Sequence, residues 1–149
     1  MPLNELQQEI AFGLENLTSV YQNIVRFSAH PTEDISLKMS ALTYECLGYY
    51  NAAEHLMIRL LKYLGRDVPV GALSHRDTLR AFREVFDVRG ASEPATIAAL
   101  ENLMAFRHVA TKIYGFLIDR DKLEAIVDVV QTFHQRIVEL FQAVLARLE

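Results

Sequence analysis

Several features that define common classes of protein are absent from this sequence. A single cysteine, Cys46, excludes an internal disulfide, and no apolar stretch reaches the roughly 20 residues that a membrane-spanning helix needs. Lys and Arg number 15 against 19 Asp and Glu, so no overall positive charge attracts nucleic acid. The first residues, MPLNELQQEI, lack the basic and then apolar pattern of a signal peptide. These absences favour a soluble protein of the reducing cytoplasm without a membrane contact, in which any binding of RNA or DNA is local.

Motifs for metals, nucleotides and hydrolytic nucleophiles are also missing. The five histidines include no H-x-x-x-H or H-E-x-x-H pair, and one cysteine cannot form a thiolate cluster. There is no P-loop, no G-x-G-x-x-G and no G-x-S-x-G. We therefore expect neither a metal site nor a cofactor.

What the sequence does contain is a repeated helical pattern. Its 149 residues, 51% hydrophobic and 23% charged, predict one folded domain over residues 1–149. Apolar residues recur at intervals of three and four, and no segment alternates as a strand would. The pattern predicts an all-α fold, an antiparallel bundle of four long helices plus a short helix that connects the second to the fourth. The residues that begin or end these predicted helices are Pro31, either Thr32 or Asp34, Gly65, Ser74, Pro94, Gly115 and Asp119.

The fourth predicted helix has two apolar stripes, although one bundle core needs only one. The second stripe begins with Ile97 and Leu100 and turns polar at Arg107. Because a helix that is apolar on two faces usually has a second packing partner, the pattern predicts a homodimer through this helix. Arg107 then lies beside a desolvated interface, where its charge acts more strongly. The alternative is that Arg107 covers apolar surface and pairs with Glu101 or Asp119.

Residues 105–119, AFRHVATKIYGFLID, resemble the signature R-x4-H-x-Y of the HepT-like proteins, which are toxins with a HEPN domain. Arg107 and Tyr114 match the signature, and Lys112 stands where the family has its histidine. The stretch YYNAAE, with Asn51 and Glu54, is similar to the family's Y-N-x-x-E on the second helix. Two separate stretches of the chain thus carry the resemblance.

A third stretch, GALSHRDTL, extends the resemblance. Gly71, His75 and Leu79 lie where the family tends to have a glycine, Trp-His and a leucine. The three stretches occur in the expected order between about residues 40 and 120. The resemblance implies a HEPN-type bundle in which Asn51, Glu54 and His75 support the motif helix. The alternative for Asn51 and Glu54 is a simple hydrogen bond across the bundle.

The resemblance also implies an activity. HepT-like toxins are dimeric, metal-independent endoribonucleases, in which the motif residues of two protomers meet in a cleft and an RNA 2′-hydroxyl attacks the adjacent phosphorus. Arg107 would stabilise the charge that builds on the phosphoryl oxygens. Lysine is normally protonated at neutral pH. Lys112 therefore acts as a base only if burial and the neighbouring cation Arg107 lower its pKa. The other candidate is His108, which shares a helix face with Lys112 at i, i+4.

The resemblance further implies a toxin–antitoxin pair. Its partner is a minimal nucleotidyltransferase antitoxin that transfers AMP to the motif tyrosine, here Tyr114. The added bulk and negative charge would block an RNA cleft. Lys112 favours an alternative function, a catalytically inactive subunit that partners the nucleotidyltransferase or recognises its substrate. A third possibility is a purely structural helical dimer.

A row of arginines on the short helix is a further candidate for RNA contact. Arg76, Arg80 and Arg83 lie at i, i+4 and i+7 and form a local positive face. Such a face can steer a phosphate backbone despite the net negative charge. The alternative is that the row is solvated and pairs with Glu84 or Asp87.

Overall fold

Five α-helices make up the described part of the chain. The computed structural model describes residues 1–71, 73–88, 93–112 and 118–149, and these ranges contain no strand. The all-α bundle predicted from the periodicity is confirmed, with the short helix in third place. Within the same ranges, no helix has a stretch long and apolar enough to cross a membrane. The helices are α1 (Leu3–Ala29), α2 (Ile35–Tyr63), α3 (Ser74–Val88), α4 (Pro94–Lys112) and α5 (Arg120–Ala146).

Local sequence signals set several helix ends where they were predicted. The Asp34 carboxylate accepts a hydrogen bond from the backbone N–H of Leu37 at 3.1 Å and so caps α2. Asp119 caps α5 in the same way, accepting from the N–H of Asp121 at 2.8 Å. Gly65 has φ +74°, a left-handed conformation that ends α2 and that glycine adopts without strain.

The centre of the bundle is α2, which contacts all four other helices. Its approach to α1 depends on Gly13, because a Cβ at that position would lie only 2.5 Å from Cδ2 of the fully buried Leu56. Glycine therefore allows these two helices to pack more closely than any larger residue would. With α2 in the middle, side chains from α3 and α4 can meet on one of its faces.

In the described residues, both apolar stripes of α4 are covered by other helices of the same chain. Ala99 and Leu103 of the first stripe and Ile97 and Leu100 of the second are each at most 3% exposed. Since α4 contacts α2, α3 and α5, its own chain covers the second stripe. The argument that this stripe requires a second subunit is therefore wrong, because α4 has more than one partner helix inside the chain. The homodimer itself stays a prediction.

A buried group of hydrogen-bonded side chains around His134 joins α1, α2 and α5. The ring of His134 is bonded through Nδ1 to the hydroxyl of Tyr49 at 2.9 Å and through Nε2 to the hydroxyl of Thr18 at 3.3 Å. Tyr21 stacks on the same ring, with 4.0 Å between the centroids. Burial lowers the pKa of His134 below the ordinary histidine value, because the charged imidazolium is poorly solvated there.

This pKa shift predicts that acid destabilises the fold. Between the lowered folded pKa and the ordinary value of about 6.5, the unfolded chain binds a proton that folded His134 does not. The free energy of unfolding should therefore fall as the pH drops below about 6.5. We expect His134→Gln to flatten this dependence in urea titrations between about pH 8 and pH 5. Equal pH slopes for the variant and the wild type would contradict this assignment.

Candidate functional site

Arg107 lies near the C-terminal end of α4 and reaches across to α2. Its Nε donates a hydrogen bond to Oδ1 of Asn51 at 2.9 Å, so the predicted hydrogen bond across the bundle is present. The carboxylates considered as alternatives are engaged elsewhere, since Glu101 accepts from Arg83 at 3.1 Å and Asp119 caps α5. Within the described residues, no carboxylate pairs with Arg107 and its terminal nitrogens, Nη1 and Nη2, have no hydrogen-bond partner. Arg107 is thus a positioned cation with its terminal nitrogens available to a ligand.

A buried carboxylate lies one turn further along α2. Glu54 is only 7% exposed, and both of its oxygens are 2.8 Å from Nδ1 of His75 on α3. A carboxylate accepts hydrogen bonds and cannot donate them, so Nδ1 of His75 carries the proton of this bond. The His75 side chain is 36% exposed, which leaves the far side of its ring open to solvent.

The hydroxyl of Tyr50 is a further polar group near Glu54 and Arg107. Tyr50 is fully buried, and its hydroxyl oxygen has no hydrogen-bond partner among the described residues. Burial raises the pKa of Tyr50 well above its ordinary value, the Glu54 carboxylate raises it further and Arg107 opposes them. The hydroxyl is therefore close enough to both charges to be influenced by each of them. The sequence suggested only a core or interface aromatic at this position, although the i, i+4 spacing from Tyr50 to Glu54 could have revealed the contact.

These five residues form one group, which we call the polar cluster: Tyr50, Asn51, Glu54, His75 and Arg107. On α2, residues three or four apart share a face with roughly 5–6 Å between their Cβ atoms. α2 therefore anchors the arginine of α4 and the histidine of α3 at positions one helical turn apart. A guanidinium with free terminal nitrogens suits phosphate oxygens, and an imidazole with a free nitrogen suits proton transfer. Three metal-ligating side chains do not come together anywhere in the described ranges.

Comparison with known proteins agrees with this arrangement. Residues 41–148, which are 108 of the 149 residues, match the family model described as HepT-like protein. The chain belongs to the HepT-like family. The match covers α3, α4, α5 and nearly all of α2, and therefore every residue of the polar cluster. Neither the search of curated proteins nor the search of solved structures found a match.

Two other candidate residues of this HepT-like protein, Lys112 and His108, are not part of the polar cluster. Lys112 is the last residue of α4 and is exposed, as is His108 one turn earlier. In the described part of the chain, neither side chain forms a hydrogen bond with Arg107, and Lys112 lies roughly 140° around the helix from it, as residues five apart do. Tyr114 and Gly115 lie outside the described residues.

The arginine row on α3 is largely paired. Arg83 contacts Glu101 at 3.1 Å and Asp87 at 3.5 Å, and Arg76 has a longer contact of 3.8 Å with Asp77. These contacts favour the alternative in which both arginines lie in solvent and pair with nearby carboxylates. Exposed Arg80 has no polar partner in the described ranges, so of the three it keeps the strongest case for steering RNA.

Proposed function

We propose that this HepT-like protein is the toxin of a toxin–antitoxin pair, an endoribonuclease that binds RNA at the polar cluster and cleaves it without a metal ion. The observation that carries the proposal is the state of Arg107, a cation fixed by a neutral amide, with no carboxylate partner in the described residues. Such a group binds a phosphodiester without first breaking an ion pair. Arg80 would add a weak, salt-dependent attraction for the RNA backbone.

A homodimer is part of this proposal. Its support is a groove of about 390 Å³ between α4 and α5, in which apolar side chains predominate. Val109 of this groove is 42% exposed, so the groove offers apolar surface that a second copy of the chain would bury. The oligomeric state in solution, measured by light scattering, tests this part separately.

The proposed regulation acts on Tyr114. A minimal nucleotidyltransferase antitoxin would transfer AMP to its hydroxyl, seven residues beyond Arg107 in the sequence. The added phosphate carries negative charge, which competes with RNA for Arg107, and the adenosine adds bulk.

Lys112 supports a second function. A catalytically inactive subunit that partners the nucleotidyltransferase, or recognises its substrate, needs no motif histidine. This candidate has the same fold and the same polar cluster but predicts no turnover of RNA.

The test is RNA cleavage by the purified protein. We expect the wild type to cleave tRNA or mRNA in the presence of EDTA, and Lys112→His to cleave faster because it restores the acid–base group of the family signature. No cleavage by either protein would favour the inactive subunit. Cleavage that EDTA abolishes would contradict the metal-independent mechanism.

The second arm of this test follows the modification. After co-expression with the protein of the adjacent gene, intact mass should show the addition of AMP to the wild type and to Tyr44→Phe. Tyr44 is a matched control, since it is 75% exposed and lies outside the signature. Tyr114→Phe should remain unmodified, and AMP on that variant would move the modification to another residue.

A further inference from the structure

The polar cluster contains an imidazole, His75, that lies outside the R-x4-H-x-Y stretch. Nδ1 of His75 is bonded to both oxygens of the buried Glu54 carboxylate at 2.8 Å. Because this bond holds the proton on Nδ1, Nε2 keeps its lone pair and can accept a proton. In the described residues Nε2 has no hydrogen-bond partner, and the side chain is 36% exposed. A carboxylate that fixes the tautomer and orientation of a histidine is the usual support of a general base.

The position of this imidazole relative to Arg107 is fixed through α2. Asn51 holds Arg107 and Glu54 holds His75, and these α2 residues are one helical turn apart, roughly 5–6 Å between Cβ atoms. The hydroxyl of Tyr50 is near Glu54 and Arg107 but is buried, so it does not face a bound ligand.

The signature position offers no acid–base group close to Arg107. The signature histidine is replaced by Lys112, which is exposed at the end of α4 and makes no contact with the polar cluster in the described part of the chain. Nor does His108 contact it there. A base for an RNA phosphate held at Arg107 would therefore have to come from another residue of the polar cluster.

We propose that His75 of α3, oriented by Glu54, is the general base of this protein and occupies the chemical role of the missing signature histidine. This inference rests on the proposed function, since it requires that RNA is cleaved at Arg107. Glu54 is a positioning residue, because it acts through His75.

The proposed step is an internal transfer of the phosphoryl group. Nε2 of His75 removes the proton from the ribose 2′-hydroxyl, and the oxygen attacks the adjacent phosphorus. The bond from phosphorus to the 5′-oxygen breaks, and that oxygen takes a proton from water, while His75 later returns its own proton to solvent. The products are a 2′,3′-cyclic phosphate and a free 5′-hydroxyl. Arg107 stabilises the additional negative charge on the phosphoryl oxygens during the attack.

The experiment compares two histidines beside Glu54. His75 is hydrogen-bonded to its carboxylate, and His55 follows it in the sequence. His75→Gln keeps a donor for Glu54 but has no group that accepts the proton, so we expect RNA cleavage to fall by about 10²–10⁴-fold. His55→Gln is the control, since His55 is exposed on α2 next to Glu54 and is not part of the polar cluster. Its rate should remain within about threefold of the wild type, a margin far smaller than the loss of a base. Thermal unfolding of each variant verifies that the fold is intact.

Added imidazole separates a base from a structural residue. In His75→Ala, free imidazole can enter the solvent-exposed space and take the proton, so cleavage should rise in proportion to its concentration and yield the cyclic phosphate. His55→Ala should not respond. A loss of activity that imidazole does not restore overturns the role of a base and leaves His75 as a structural partner of Glu54.

The outcomes distinguish this inference from the proposed function. If His75→Gln cleaves like the wild type while Arg107→Ala does not, the base lies elsewhere and the proposed function stands. If the wild type cleaves no RNA, both proposals fail together.

Discussion

Arg107→Ala is expected to lower the rate of RNA cleavage by about 10²–10³-fold, because one charged donor to the reacting phosphoryl group is lost. In the described structure, the terminal nitrogens of Arg107 have no other partner, so its contribution is directed at the ligand. The cleavage rate of Arg107→Lys should lie between those of the wild type and Arg107→Ala, since lysine keeps the charge but loses the planar pair of donors. Initial rates with tRNA in EDTA measure both effects.

Two further variants show whether the loss is specific. Arg59→Ala removes an arginine of α2 that pairs with Glu9 at 3.1 Å on the surface, and its rate should remain near that of the wild type. Asn51→Ala releases Arg107 from its position and should reduce cleavage less than Arg107→Ala does. Because Asn51 acts through Arg107, the double variant should be no slower than Arg107→Ala alone. Wild-type rates for Arg107→Ala would rule out the phosphate-binding role.

Phe82→Ala has the largest expected effect on stability, a loss of about 3–5 kcal/mol in the free energy of unfolding. Phe82 is fully buried on α3, and its ring lies 4.4 Å from Phe86 and 5.7 Å from Phe141 of α5, measured between centroids. Alanine would leave a cavity where α3 joins α5. Because α3 carries His75, we also expect cleavage to fall in this variant. Denaturant titration followed by far-ultraviolet circular dichroism measures the stability.

The control is the same substitution at an exposed position. Phe12 on α1 is 61% exposed, so Phe12→Ala removes the same atoms without opening a buried cavity. Its cost should remain below about 1 kcal/mol, because little apolar area returns to water. Similar losses for Phe12→Ala and Phe82→Ala would mean that α3 is not anchored through its phenylalanine.

Most of the fold could be predicted from the sequence because its signals are local. Intervals of three and four residues define the apolar face of each helix, and caps such as Asp34 and Asp119 act within one turn. The number of neighbours around α4 could not be predicted in this way. An apolar stripe has the same sequence pattern whether another subunit covers it or the same chain does. Ile97 and Leu100 are covered by the same chain.

The polar cluster was predictable only in part. The family resemblance pointed to Asn51, Glu54, His75 and Arg107 one at a time, but their pairing joins residues that are 56 and 21 positions apart in the chain. Such contacts depend on how α2, α3 and α4 pack, and no local pattern records that. Tyr50 was missed because a buried tyrosine is usually a core residue. Its i, i+4 spacing indicates a contact with Glu54, but only the packing brings Arg107 of α4 near its hydroxyl.

The most direct test of this account is NMR detection of RNA binding at the polar cluster. An RNA oligonucleotide with a 2′-deoxyribose at the scissile position should bind without being cleaved. We predict that the Nε–H signal of Arg107 and the ring Cε1–H signal of His75 shift together along one saturation curve, and that Arg107→Ala abolishes both shifts. Binding that leaves these two signals unchanged, or no binding at all, would contradict a shared RNA site built by α2, α3 and α4.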